Sequence, residues 1–252
     1  MYHTIRLFGL EFISATHHLE VIDDLLDYQH NYSSKLPFVI TVNSDQLVKL
    51  EHLPYLKSKL SQAMFTFPDG HPIIWYSKLA RQPLQARLTG SDLFPLLWQK
   101  AKENQQKILV IVSHAELGVK LQEDYANVTY YTPPLFEVNS TDFNKITQDI
   151  TNIITDFQPQ FVIVGLGFPK QEWLGLSVHK NLQDQSIASP LFLFLGASAE
   201  FYVGMKKRAP VFWQKIGMEW LHRFSQEPKR LWKRYILGII PLLILFIKEL
   251  RK

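Results

Sequence analysis

The feature that most constrains this chain is an alternation of two periods. Six short apolar runs of β type, "FVITVN" (38–43), "MFTF" (64–67), "KILVIVS" (107–113), "VTYY" (128–131), "FVIVGLG" (161–167) and "LFLFLG" (191–196), are separated by other patterns. Between them, "SDLFPLLWQKAKENQQ" and "STDFNKITQDITNIITDF" carry apolar residues near helical spacing and open on Ser, Thr or Asp caps. Strand and helix in alternation predict an α/β fold: a Rossmann-like, mostly parallel sheet with helices on both faces. Ligands of such sheets bind outside the carboxyl ends of the strands, so the residues after each run are the candidates for chemistry. No internal repeat or low-complexity linker interrupts the pattern, and the composition shifts only near residue 205.

That shift is one of charge and greasiness together. From Lys206 to Lys252 the chain holds twelve Lys or Arg against three Glu, a balance of +9, while the other 205 residues carry −5. The same segment contains "ILGIIPLLILFI" (236–247), too short to cross about 30 Å of hydrocarbon as a helix. Gly238 and Pro241 argue against one straight buried helix there. Basic charge beside an apolar run points to an anionic membrane surface and away from nucleic acid. The expected division is a catalytic domain, 1–205, and a helical membrane-docking appendage, 206–252. A tail packed on the protein's own core, or on a neighbouring subunit of a homo-oligomer, is the other reading. The absence of cysteine excludes disulfides and thiolate metal sites. The start, "MYHTIRLFGLEF", has no signal-peptide pattern, so a cytoplasmic protein is expected.

Four strand ends stand out. "TVN" ends its run with Thr41 and Asn43, two hydrogen-bonding side chains, although Asn in that place commonly caps the next helix. "FPDG" fixes Asp69 between Pro68 and Gly70, where a carboxylate serves either as a general base or merely as part of a turn. "GLGFPKQE" offers Gly165 and Gly167 for close backbone approach and Gln171 and Glu172 in the next helical turn. It is not a dinucleotide fingerprint, because Lys170 stands where the third glycine is required. The fourth, "GASAEFYVG", leads to "KKRAPVFW", in which Arg208 precedes a Pro210 helix start. There is no D-x-D pair and no His/carboxylate cluster with metal spacing; His17-His18 reads as surface helix. No cofactor is expected.

Taken in order, "TVN", "FPDG.PIIW", "ARLTGSDL", "VGLGFPKQE", "GASAEFYVG", "RAP.FW", "GMEWLHRFSQEPKR" and "RY" resemble the WecG/TagA/CpsF family of bacterial glycosyltransferases (glycosyltransferase family 26). The pieces run from about residue 38 to residue 235. The resemblance implies inverting, metal-independent transfer from a UDP-sugar donor to a polyprenyl-diphosphate-linked sugar acceptor at the cytoplasmic membrane face. It makes Asp69 the base and places Thr41 and Asn43 in the donor pocket. Arg87 would stabilise the leaving diphosphate, and Gln171 would contact donor or acceptor. The appendage would add Arg223, Arg230 and, in place of a family arginine, Lys233, which keeps the charge without the bidentate fork. Ala86 stands where relatives carry Glu, and "VIVSHAE" replaces a Gly-Gly at Ser113-His114. The donated sugar stays open. A non-catalytic membrane-surface module binding an anionic ligand is the rival reading, and a nicotinamide-dependent dehydrogenase a weaker one.

Overall fold

The computed structural model of the protein describes residues 2–28, 35–210, 213, 221 and 238–251. The chain enters through a hairpin, β1 (His3–Leu7) and β2 (Leu10–Ser14), followed by a 3-10 turn (His18–Glu20) and α1 (Ile22–Leu26). Next come β3 (Leu36–Val42), α2 (Ser44–Glu51), α3 (Pro54–Leu60), β4 (Ala63–Pro68) and α4 (His71–Leu79). The middle of the chain gives α5 (Gly90–Glu103), β5 (Ile108–Ile111), α6 (Ala115–Asp124), β6 (Val128–Tyr131) and α7 (Thr141–Phe157). It continues through β7 (Phe161–Val164), α8 (Lys170–Asp184), β8 (Leu191–Phe194) and α9 (Ser198–Tyr202) to α10 (Ile239–Leu250).

The strands form one sheet in the order β1-β2-β4-β3-β8-β7-β5-β6, parallel throughout except for the β1–β2 hairpin. All six expected runs are strands, and they are the six central or far-edge ones. Their apolar side chains point to both faces, as a sheet covered twice requires. One face is packed by α2, α3, α7 and α8 through residues such as Leu47, Leu56, Ile150 and Leu174. The other is packed by α1, α5 and α6 through Leu25, Leu97, Trp98 and Leu121. The sheet is therefore sandwiched, and its strand ends are held rigidly on both sides.

The sequence reading did not anticipate the hairpin. Its turn, Phe8–Gly9, has positive φ at both residues (56° and 77°), the handedness that suits a two-residue hairpin. His18 corrects another expectation. It sits in the 3-10 turn with its ring 5.6 Å from that of Phe67 and is only 5% exposed. Burial, against the pull of Asp92, lowers its imidazole to about 4, so it is neutral at ordinary pH.

From Ile239 to Leu250 the apolar tail forms one helix, α10. Gly238 is its N-cap and Pro241 falls in the first turn, where a missing N–H breaks no helical bond. One stripe of α10 meets the body. Leu245 is buried, Phe246 packs on Phe8 and Tyr76, and Glu249 accepts a hydrogen bond from the Phe8 N–H (2.7 Å). The opposite stripe, Ile240, Leu243, Ile244 and Ile247, is exposed. No helix among the described residues is long and apolar enough to cross a membrane.

Candidate active site

The middle of the sheet organises the site. β3 has β4 on one side and β8 on the other, so strands from the first and last parts of the chain meet there. Thr41, near the end of β3, is buried and donates from Oγ1 to the Phe194 carbonyl of β8 (3.3 Å). Asn43 closes the strand and caps α2. Its Oδ1 accepts from the Gln46 N–H (3.1 Å), while Gln46 Oε1 accepts from the Asn43 N–H (2.8 Å). The ordinary capping role is thus real, and Asn43 still faces the cavity described below.

Asp69 follows β4. Its N–H donates to the Val42 carbonyl (2.8 Å), which binds the "PDG" turn to the end of β3. The Leu88 N–H donates to the Pro68 carbonyl (2.9 Å), so the "ARLTG" segment runs beside β4 and brings Arg87 near Asp69 in space, eighteen positions away in sequence. Thr89 then caps α5 by accepting from the Asp92 N–H. Gly90 is forced by crowding: a Cβ there would lie 3.0 Å from Ser198 Oγ and 3.4 Å from Thr41 Cγ2. The start of α5 is pressed onto the ends of β3 and β8.

These segments surround a cavity of about 720 Å³, a size that holds a ligand larger than a monosaccharide. Thr41, Asn43, Asp69, Arg87, Gly167 and Gln171 all line it. So do Ser44, His71, Trp75, Thr89, Ser198 and, from the beginning of the tail, Gly238 and Ile239. The sequence reading did not place these at the site. Trp75, Thr89 and Ser198 lie inside the quoted motif pieces, but the strand-end rule selects only the first residues after a strand.

The β7 end is built differently. The Gly165 N–H donates to the Ile111 carbonyl (2.9 Å), and a Cβ at Gly165 would lie 3.0 Å from the Gly196 carbonyl oxygen. Gly165 is therefore needed for packing between loops and does not line the cavity. Gly167 has φ of 81°, which favours glycine, and its N–H donates to Gln171 Oε1 (3.2 Å). Gln171 Nε2 in turn donates to Glu172 Oε1 (2.8 Å). Glu172 is 2% exposed, and its Oε2 has no hydrogen-bond partner. Burial raises its carboxyl to about 7, against the opposing hydrogen bond from Gln171.

Arg208 lies outside the cavity lining. Its Nη1 donates to Asp92 Oδ1 (2.6 Å) and its Nη2 to Thr89 Oγ1 (3.4 Å). Burial alone would raise the Asp92 carboxyl, but the hydrogen bonds from Arg208 and Thr89 outweigh it and hold the group low. Arg208 thus ties the chain entering the basic segment to the start of α5. Lys206 pairs with Glu200 just before it. Arg223, Arg230 and Lys233 lie outside the described residues. Among the described residues, no three His, Asp or Glu side chains are grouped to hold a metal ion.

Comparison with known proteins finds relatives along most of the chain. The chain is similar to N-acetylglucosaminyldiphosphoundecaprenol N-acetyl-beta-D-mannosaminyltransferase of Staphylococcus aureus. It is 28% identical to the protein of strain MRSA252 over 233 residues, covering 90% of this chain and 86% of the relative. The protein of strain MW2 is 27% identical over the same length. The glycosyl transferase WecG/TagA/CpsF family model matches residues 5–252, nearly end to end. With that match along nearly the whole chain, the chain belongs to the WecG/TagA/CpsF family of glycosyl transferases.

Proposed function

We propose that this glycosyltransferase moves a sugar from a UDP-sugar to a sugar carried on polyprenyl diphosphate, for cell-envelope polysaccharide synthesis. The observation that carries the reading is the single cavity onto which Asp69, Arg87, Thr41, Asn43 and Gln171 all open. The acceptor hydroxyl oxygen attacks the anomeric carbon while its proton passes to the Asp69 carboxylate. The bond from that carbon to the diphosphate oxygen breaks, and UDP leaves with the electron pair. Attack from the opposite side inverts the anomeric centre. Arg87 meets the charge that develops on the diphosphate, joined by Arg223, Arg230 and Lys233 of the basic segment, without a metal. The names of the relatives favour N-acetylmannosamine as the donated sugar and N-acetylglucosaminyl diphosphoundecaprenol as the acceptor.

The segment from residue 206 acts as the membrane-contacting appendage at the cytoplasmic face. α10 presents Ile240, Leu243, Ile244 and Ile247 outward, and the basic charge upstream attracts anionic lipid. The test is direct. The protein is given UDP-N-acetylmannosamine and the lipid-linked acceptor in EDTA, and product mass and UDP release are measured. Transfer supports the reading. Binding of both molecules with no UDP release would favour the non-catalytic module, and activity restored only by Mg²⁺ would remove the metal-free mechanism. Separately, Ile240, Ile244 and Ile247 replaced together by Ser should abolish sedimentation with anionic liposomes while leaving the fold intact.

A further inference from the structure

Among the described residues, Trp75 is the one cavity-lining aromatic that is largely open to water. It is 55% exposed, and its indole makes no hydrogen bond to a described residue. A lone exposed tryptophan needs no explanation, but one that lines a cavity together with Asp69 offers its flat face to whatever fills that cavity. Its support is firm. α4 is fixed by the buried side chains of Ile73, Ile74 and Tyr76, and the His71 ring lies 6.0 Å from the indole at 45°. The platform is six residues from Asp69 along a turn bonded to β3. It is held in place before any ligand arrives.

Its position indicates which ligand uses it. The deep part of the cavity lies at the β3 and β8 ends, where Thr41 and Ser198 meet the crowded start of α5. The charged diphosphate belongs there and near Arg87. Trp75 lies on α4, the helix whose next residue, Tyr76, packs on Phe246 of α10 with ring centroids 4.6 Å apart. Ile239, at the start of α10, also lines the cavity. With α10 as the proposed membrane contact, a lipid-anchored molecule would reach the cavity past this helix. A pyranose has a face of C–H groups that packs on an indole while its hydroxyls stay in water.

We infer that Trp75 is the stacking platform for the acceptor sugar, holding its ring so that the attacking hydroxyl lies over Asp69. The inference rests on the transferase reading above. Its test compares wild type, Trp75→Ala and Trp75→Phe with two acceptors, the undecaprenyl one and the same sugar diphosphate on a short soluble alkyl chain. UDP affinity is measured in parallel by calorimetry. The expected result is a rise of about tenfold in KM for both acceptors in Trp75→Ala, largely recovered in Trp75→Phe, with UDP affinity unchanged. A rise confined to the undecaprenyl acceptor would assign Trp75 to the lipid chain and overturn the inference. Weakened UDP binding would assign it to the nucleobase and overturn it equally, as would unchanged KM. No transfer by the wild type would remove the transferase reading itself, an outcome distinct from all of these.

Discussion

The loops after β4 and β7 face the same cavity and are built to opposite specifications. At the β4 end, the backbone is tied down by Asp69 N–H to Val42 and Leu88 N–H to Pro68, and the side chains of Asp69 and Arg87 line the cavity. At the β7 end, the polar groups serve one another: Gly165 to Ile111, Gly167 to Gln171, Gln171 to Glu172. One loop presents chemistry on a fixed frame, and the other is itself part of the frame. A family motif therefore marks either kind of loop, and only the hydrogen bonds distinguish them.

The comparison breaks if substitutions in the two loops have the same signature. Asp69→Asn should have the largest effect, lowering turnover at least about 10²-fold with unchanged thermal unfolding. Near-normal turnover would move the base elsewhere. Arg87→Ala should cost about tenfold or more in turnover at saturating substrates, again without loss of stability. If its loss instead lowers the unfolding temperature, the β4 loop is frame as well.

The β7 loop should answer in the other order. Gly165→Ala must displace the Gly196 carbonyl or its own strand, and an overpacked contact of that kind destabilises by about 1–3 kcal/mol. Denaturant unfolding measures this, and activity per folded molecule should stay near normal. Glu172→Gln sharpens the contrast through pH. The Glu172 carboxyl is raised from 4.5 to about 7 in the fold, so the folded state holds a proton that the unfolded state has lost. Its favourable contribution is complete below pH 4.5 and is lost as pH rises through about 7. Relative to wild type, Glu172→Gln should therefore gain stability with rising pH, by about 1 kcal/mol or more at pH 8. A parallel pair of stability–pH curves would show that Glu172 does not titrate in this range.

Much of this contrast was hidden in the sequence for a physical reason. The central strands were legible because burial on both faces makes them nearly continuous apolar runs. The β1–β2 hairpin was not, because "HTIRL" lies at the edge and alternates exposed residues with Ile5 and Leu7. Its signal was the Phe-Gly turn, weaker than Asn-Gly. Asp69, Arg87, Thr41, Asn43, Gly167 and Gln171 were named from strand ends and motif pieces, and the cavity gathers them all. The engagement of Arg208 with Asp92 and the packing of His18 on Phe67 depend on partners more than forty positions away, which no local pattern encodes. The same holds for Gly165, whose need for a missing side chain is set by a carbonyl thirty-one residues later.

The bond from Phe8 to Glu249 joins positions 241 apart, and this separation has a temporal side. The hairpin is synthesised long before the helix that covers it. Until α10 is made and docks, Phe8 and Tyr76 lack the Phe246 ring that packs on both in the finished protein. A nascent chain thus carries an uncovered aromatic patch through most of its translation, the kind of surface that chaperones bind and that misassociates when left alone. How fast the ribosome completes α10 sets how long that exposure lasts.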